Sequence, residues 1–325
     1  MTARTPPDGD RIARIFFPYA ARRAREFREA GKRFVYYTSA ETAASILGKR
    51  QVWMRLVKGM NDYMEIEHGL DCLKGAWDSQ QLATPLKATL DACHAGLAKE
   101  VEEFFNAGLT GMIRADTYMT CVSEHLDDED SHGRLSMWGA YGGSVGVALV
   151  LNGTVMFNES AALGAYASPV AYLDRVTFAA EFLMTARAIE GEAEYVQSLD
   201  RDIVKHYVFN MLRAAVLCTK HPGFSEEREW RIVASPQMHP DRLPSPTVEI
   251  IRGMPQPVLK IDLVNQPEKG LTGLALPELL NKIIIGPCEF PLLVYRGLHQ
   301  LLKAAEVPEP EKKITISDIP IRHLS

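Results

Sequence analysis

The sequence predicts an α+β protein: a bent or split, mainly antiparallel sheet with helical insertions at about 63–110 and 155–222. Three observations lead there. Short β-branched or aromatic runs recur at 33–37, 145–151, 229–234, 258–263, 283–285 and 314–316. Two long blocks between them carry apolar residues at helical spacing instead. No internal repeat and no clean linker divides the rest, so residues 33–325 read as one domain behind a basic N-terminal helix over 1–32.

The chain has 325 residues, 46% hydrophobic and 24% charged, with 23 Gly and 19 Pro, which excludes a collagen-like, disordered or coiled-coil chain. A net charge of -5 argues against a protein that coats nucleic acid by charge alone. No apolar run reaches the roughly 18 residues that cross a bilayer. The opening MTARTPPDGD lacks the apolar stretch of a signal peptide, so a cytoplasmic protein with no membrane partner is expected. The five cysteines are odd in number, widely spaced and without a CxxC pair, which reads as small buried hydrophobes rather than a disulfide or zinc framework.

Along the chain, residues 11–33 read as one basic amphipathic helix with Ile12, Ile15, Phe16, Tyr19 and Phe27 on its apolar stripe. Eight positive and two negative side chains make this segment +6, leaving -11 for the rest of a chain of net charge -5. The segment is either a solvated face or a contact for nucleic acid or an acidic partner. A strand follows at 33–37, then a helix with Ser39 as N-cap, stopping near Gly48. Another strand lies at 51–54, and Asn61-Asp62 marks a turn. The helical block from 63 to about 107 is expected to break near Pro85. A strand at 117–123 leads into an acidic loop at 127–130, a short helix at 137–141 and a buried strand at 145–151. Residues 175–219 are mostly helical. Six prolines make 235–257 mainly loop, and a helix is expected around 292–305.

Residues able to do chemistry gather at strand ends: Tyr36-Tyr37-Thr38-Ser39, Asn61-Asp62 with Glu65, Ser123, Met137-Trp138 with Tyr141, and Glu226-Glu227-Arg228-Glu229-Trp230-Arg231. Each has a plainer structural reading. Tyr36 and Tyr37 could be strand packing, Trp138 core, the Glu/Arg run a surface salt-bridge lattice, and Asn61-Asp62 only a turn.

Several of these blocks, in this order, resemble the DUF2971 family of bacterial proteins. The resemblance rests on Val35-Tyr36-Tyr37-Thr38-Ser39, Asn61-Asp62-Tyr63-Met64-Glu65, Met137-Trp138-Gly139-Ala140-Tyr141 with Gly146-Val147, Glu227-Arg228-Glu229-Trp230-Arg231, Ile285-Gly286-Pro287 and Ser317-Asp318-Ile319-Pro320-Ile321-Arg322. More distantly, Tyr36-Tyr37-Thr38 with Ile46-Leu47 is similar to the His-Gly-Ser/Thr strand–turn–helix of ADP-ribosyltransferases related to the poly(ADP-ribose) polymerases. Glu227-Arg228-Glu229 matches the Glu-x-Glu form of transferases with protein targets.

That second resemblance implies an ADP-ribosyltransferase-like sheet and NAD as substrate, with no metal. It implies transfer of ADP-ribose to a protein or nucleic-acid acceptor, or hydrolysis of NAD, in a toxin or anti-phage role. Glu229 would be the catalytic carboxylate beside the oxocarbenium-like ribose, and Glu227, on the same face of an extended strand, would assist the acceptor. Backbone groups at Tyr37 would bind the nicotinamide amide, Tyr36 and Thr38 the adenosine side, and Tyr141 or Tyr118 would stack on the nicotinamide ring. Ser39, Asn61, Ser123 and Trp138 complete the expected binding set. The family's usual His or Arg is replaced by Tyr36, which carries no positive charge. This favours the alternative, a non-catalytic ligand- or nucleic-acid-binding regulatory module. A third reading is an enzyme of another class, such as a nuclease or serine hydrolase, in the same cleft.

Other motifs point less far. Gly142-Gly143-Ser144-Val145-Gly146 matches the G-x-S-x-G nucleophile elbow but stands in the order helix then strand, the reverse of what that motif needs. His125, His132 and the acidic loop could hold a cation weakly, though a solvated loop is the plainer reading. No P-loop, HExxH or dinucleotide G-x-G-x-x-G occurs.

Overall fold

The helices, in chain order, are α1 (Gly9–Phe16), α2 (Pro18–Glu29), α3 (Ala40–Lys49), α4 (Tyr63–Trp77), α5 (Gln80–Cys93), α6 (Leu97–Phe104), α7 (Leu135–Tyr141), α8 (Arg175–Gly191), α9 (Ala193–Ser198), α10 (Arg201–Leu217), α11 (Leu276–Leu279) and α12 (Pro291–Ala304). The strands are β1 (Arg33–Ser39), β2 (Gln51–Leu56), β3 (Tyr118–His125), β4 (Gly146–Leu151), β5 (Ala165–Pro169), β6 (Ala171–Tyr172), β7 (Thr219–Lys220), β8 (Glu229–Ala234), β9 (Thr247–Ile251), β10 (Met254–Asp262), β11 (Leu280–Ile285) and β12 (Ile314–Ile316). This computed structural model describes residues 8–59, 63–106, 111, 116–157, 164–237, 241, 243–251 and 253–320. The expected Asn61-Asp62 turn lies outside them.

The chain folds into two compact units. One comprises Met1–Arg28, Leu56–Thr117 and Ser168–Ser225; the other Glu29–Arg55, Tyr118–Ala167 and Glu226–Ser325. The second unit carries the sheet, which has ten strands among the described residues, in the order β12-β11-β4-β1-β3-β2-β10-β9, with β8 on β3 and β5 on β8. Its registered pairs are antiparallel except β11 with β12. The sheet is thus mixed with helices, open and mostly antiparallel.

Strand β3 has three partners, and a strand has two edges. β8 covers Tyr118 to Ser123, and the ladder continues where Glu124 N donates to Arg228 O. β1 pairs with Ser123 to His125, so it takes the other edge, which β2 must share. Two branches therefore leave one edge of β3, and the sheet is split at Tyr36.

Alternation along β1 and β4 builds a core on each face. On one, Val147 and Leu149 with Ile283 and Ile285 pack against Ala43, Ile46 and Leu47 of α3 and Leu298 and Leu302 of α12. On the other, Val35, Tyr37, Ala148, Val150 and Ile284 pack against Met137 and Trp138 of α7. Helix α3 starts as expected, with Ser39 Oγ accepting from Thr42 N at 3.2 Å. It also stops near Gly48, at Lys49, with Arg50 in the left-handed position at φ 52.

Prolines 255 and 257 do not keep 254–257 as loop. They sit in β10, which over that stretch pairs with β9 on one side only. Their two-residue spacing puts both missing N–H groups on the same edge of the strand, where no ladder needs them.

The other unit holds the helical insertions. The expected single helix over 11–33 is two helices, because Pro18 has no N–H to continue α1 and instead opens α2. Lys32 and Arg33 lie beyond both. Several of the basic residues are paired within the protein, among them Arg11 with Glu192 at 2.5 Å, Arg22 with Glu181 at 3.1 Å, Arg23 with Glu26 at 2.7 Å and Lys32 with Glu124 at 2.7 Å. The block from 63 onward breaks at 78–79 and 94–96 rather than at Pro85, which lies within α5. A Cβ on Gly69 of α4 would meet Val216 O of α10 at 2.2 Å, so these backbones approach too closely for a side chain there. The cysteines are free. No described helix is long and apolar enough to cross a membrane.

Candidate functional site

The expected site residues divide between the two faces of the sheet. On β1, Tyr36 and Thr38 alternate with Tyr37 and Ser39. Tyr36 packs with Val147 and Leu149, whereas Tyr37 packs with Ala148 and Val150. The register Val35↔Ser123↔Glu229 then assigns Glu229 to the face of Tyr37 and Ser39, away from that of Tyr36 and Thr38. Burial raises the Tyr36 phenol above its usual range, with Cys121 adding to it and a hydrogen bond to the Thr38 side chain opposing it. Tyr118 is buried and lies five residues along β3 from Ser123, about 16 Å at strand spacing.

Glu229 opens β8 and is only 6% exposed. Arg231, two residues on and therefore on the same face, is 0% exposed and donates through Nε to Glu229 Oε1 at 2.8 Å. A charge buried this far is tolerated because it is paired. Glu227 does not continue the strand. Arg228 between the two carboxylates takes φ +45, a left-handed conformation rare for a residue with a Cβ. The expectation that Glu227 and Glu229 share one face of an extended strand is thereby corrected. Glu227 instead accepts through Oε1 from the Tyr141 hydroxyl at 3.2 Å, at the exposed end of α7.

Trp138 explains most of the recurring blocks. Its indole is held edge-on to the Tyr37 ring, centroids 4.8 Å apart at 78°. A Cβ added at Gly133, Gly146 or Gly286 would come within 2.6, 2.9 or 2.9 Å of the indole. Trp138 Nε1 donates to His132 O at 2.9 Å, which also accepts from Ser317 Oγ at 2.9 Å, and Ile319 packs against the same cluster. Gly133, Gly146 and Gly286 therefore make room for a tryptophan. The turn at Ser144 joins helix to strand, so the nucleophile-elbow arrangement is absent there.

Sequence reasoning missed an ionic cluster at the far end of β3. The acidic stretch is only in part a solvated loop, with Asp127 and Asp128 exposed. Asp127–Glu129 is a short 3-10 turn in which Glu129 is buried, and His125 before it is also buried. Glu129 accepts from Arg228 at 2.7 Å, and Arg134 Nε lies 3.5 Å away. Arg134 also donates its backbone N–H to Tyr37 Oη at 2.9 Å and a guanidinium N–H to Glu226 O. These contacts tie the Glu226–Glu229 turn to the start of α7. Asp130 binds Lys282 at 2.7 Å, Arg33 at 3.0 Å and His125 at 2.9 Å. The available signal was the acidic run flanked by Arg33, Arg134 and Arg228, charges of opposite sign within reach of one strand end. No group of three or more His, Cys, Asp or Glu among the described residues is arranged to hold a metal ion.

Acid should test this cluster. Burial raises the Asp130 carboxyl, but hydrogen bonds from Lys282, His125 and Arg33 outweigh it and hold it at about 2 instead of 3.8. Burial lowers the His125 imidazole below 6.5. Both folded values are depressed, so the unfolded chain takes up each proton first and stability falls with pH. The His125 contribution is lost as pH drops below about 6.5. The Asp130 contribution follows between pH 3.8 and about 2. With 28% of that side chain exposed, screening leaves about 1 kcal/mol. Urea midpoints of wild type and Asp130→Asn should converge across the lower window, and parallel curves would contradict the assignment.

An α+β protein with an open, split, mostly antiparallel sheet, several of whose strand-end segments close around the buried Trp138, is the class this geometry defines. Residues 137–232 match the family model described as Protein of unknown function (DUF2971), which supports the family resemblance over that stretch. No curated protein and no solved structure matches the chain.

Proposed function

We propose that this protein is a binding and regulatory module that holds a nucleotide-class ligand, NAD among them, without transferring ADP-ribose. The observation that carries this reading is the Glu229–Arg231 pair. A carboxylate 6% exposed and neutralised by a buried guanidinium is poorly placed to face a developing ribosyl cation. Tyr36 and Thr38, on the other face, do not supplement it. The surface at Tyr141, Glu227 and Arg228 remains: an aromatic ring 41% exposed for stacking on a base, a carboxylate for a ribose hydroxyl, and a guanidinium for phosphate.

The test is calorimetry with NAD and ADP-ribose alongside a nicotinamide-release assay. Saturable binding without release is expected, weakened tenfold or more in Tyr141→Ala, the scale of one lost base–aromatic stack. Absence of saturable binding by either nucleotide would end the proposal. One observation favours a second reading, cleavage of NAD with transfer to a macromolecule or water: the Tyr141 hydroxyl orients Glu227, an accessible carboxylate. Nicotinamide release that disappears in Glu227→Gln would establish that reading instead.

A further inference from the structure

The helical unit holds a half-open cavity of about 120 Å³. It lies where the α1–α2 break at Phe17 and Pro18 meets α4, α5, α8 and α10, and its walls are mostly apolar, with Leu73, Leu86, Phe182 and Met211 among them. The volume suits a single ring, since an engineered apolar cavity of about 150 Å³ binds benzene.

Ser168, Thr185 and Thr219 add hydroxyls to the wall, and one lining residue is charged. Glu181 of α8 lines the cavity. Its Oε1 accepts from Arg22 at 3.1 Å, and its backbone carbonyl accepts from Thr185 Oγ1 at 3.0 Å. Its Oε2 is shut off from solvent and has no hydrogen-bond partner among the described residues. A buried carboxylate oxygen left without a donor is unfavourable. A ligand that brings an N–H into the cavity removes that penalty, and a positive charge suits the carboxylate better than a neutral donor does. A pocket of mostly apolar walls with a few placed polar groups is the usual form of a small-molecule site.

We infer that this cavity is a binding site for a small ammonium carrying one apolar ring, with Glu181 as the anchor of its charge. The site lies wholly in the helical unit and goes beyond the nucleotide surface proposed above.

Titration of the full chain with benzylamine, benzyl alcohol and benzoate, read by ligand-observed NMR and calorimetry, tests this. The three share a ring and differ in charge. Saturable binding of benzylamine is expected, at least tenfold tighter than the alcohol, with benzoate weakest. Glu181→Gln should remove that preference while still binding the ring. Ala215→Leu, which fills the cavity from α10, should abolish binding of all three, and thermal melting would show that both variants fold. Absence of saturable benzylamine binding by the wild type, equal affinities for all three probes, or an unchanged preference in Glu181→Gln would each overturn the inference.

Discussion

Trp138→Ala should destabilise the protein by about 4 kcal/mol, the scale for truncating a large aromatic side chain in a core. The indole is 7% exposed and sits edge-on to Tyr37, and its nitrogen binds His132 O. Truncation would open a void that the backbone at Gly133, Gly146 and Gly286 cannot fill, since none of these residues has a side chain to move inward. A companion substitution separates this cradle from simple loss of bulk. Gly286→Ala alone brings a methyl within 2.9 Å of the indole and should itself cost about 1–3 kcal/mol by overpacking. In the Trp138→Ala background the same methyl has room and should cost little, giving a coupling energy of about 1 kcal/mol or more. Additive urea-unfolding energies would show that the glycines are not there to accommodate the tryptophan.

Arg231→Met should cost about 3–5 kcal/mol, because it takes the guanidinium away from a buried carboxylate. The guanidinium is 0% exposed and its Nε lies 2.8 Å from Glu229 Oε1. Glu229→Leu alone should also destabilise, for it removes the carboxylate to which the buried guanidinium donates. The double variant should recover most of the loss, since replacing a buried pair by apolar groups of similar volume is often neutral. Urea unfolding of the four proteins closes the cycle. Full additivity would mean that the two charges do not depend on one another, and would weaken the argument against a catalytic Glu229.

The elements that local pattern controls were legible. β8 falls where its β-branched and aromatic run does, and Ser39 caps α3 because a serine before Glu41 and an apolar run is the local signature of a helix start. Errors came where a second interaction outweighs the local one. Pro85 was expected to break a helix that accommodates it, while Pro18, read as part of a continuous helix, makes the break. Prolines 255 and 257 occupy a strand because only one side of β10 is paired there. The acidic run at 127–130 looked solvated because its partners Arg33, Arg228 and Lys282 are remote in sequence. The blocks Tyr36–Ser39, Met137–Tyr141 and Ile285–Pro287 were recognised as a set, but their common purpose around Trp138 was not.

By itself the sequence determined the α+β class, the position of most strands and helices, and the alternation that sends Tyr36 and Tyr37 to opposite sides of one strand. These follow from backbone periodicity, which each residue shares with its near neighbours. Tertiary structure alone decided that Glu229 lies on the Tyr37 side, through the register Val35↔Ser123↔Glu229, and that Arg228 turns the chain so that Glu227 leaves it. Strand register depends on residues remote in sequence, 88 positions from Val35 to Ser123 and 106 from Ser123 to Glu229, and no local period encodes it.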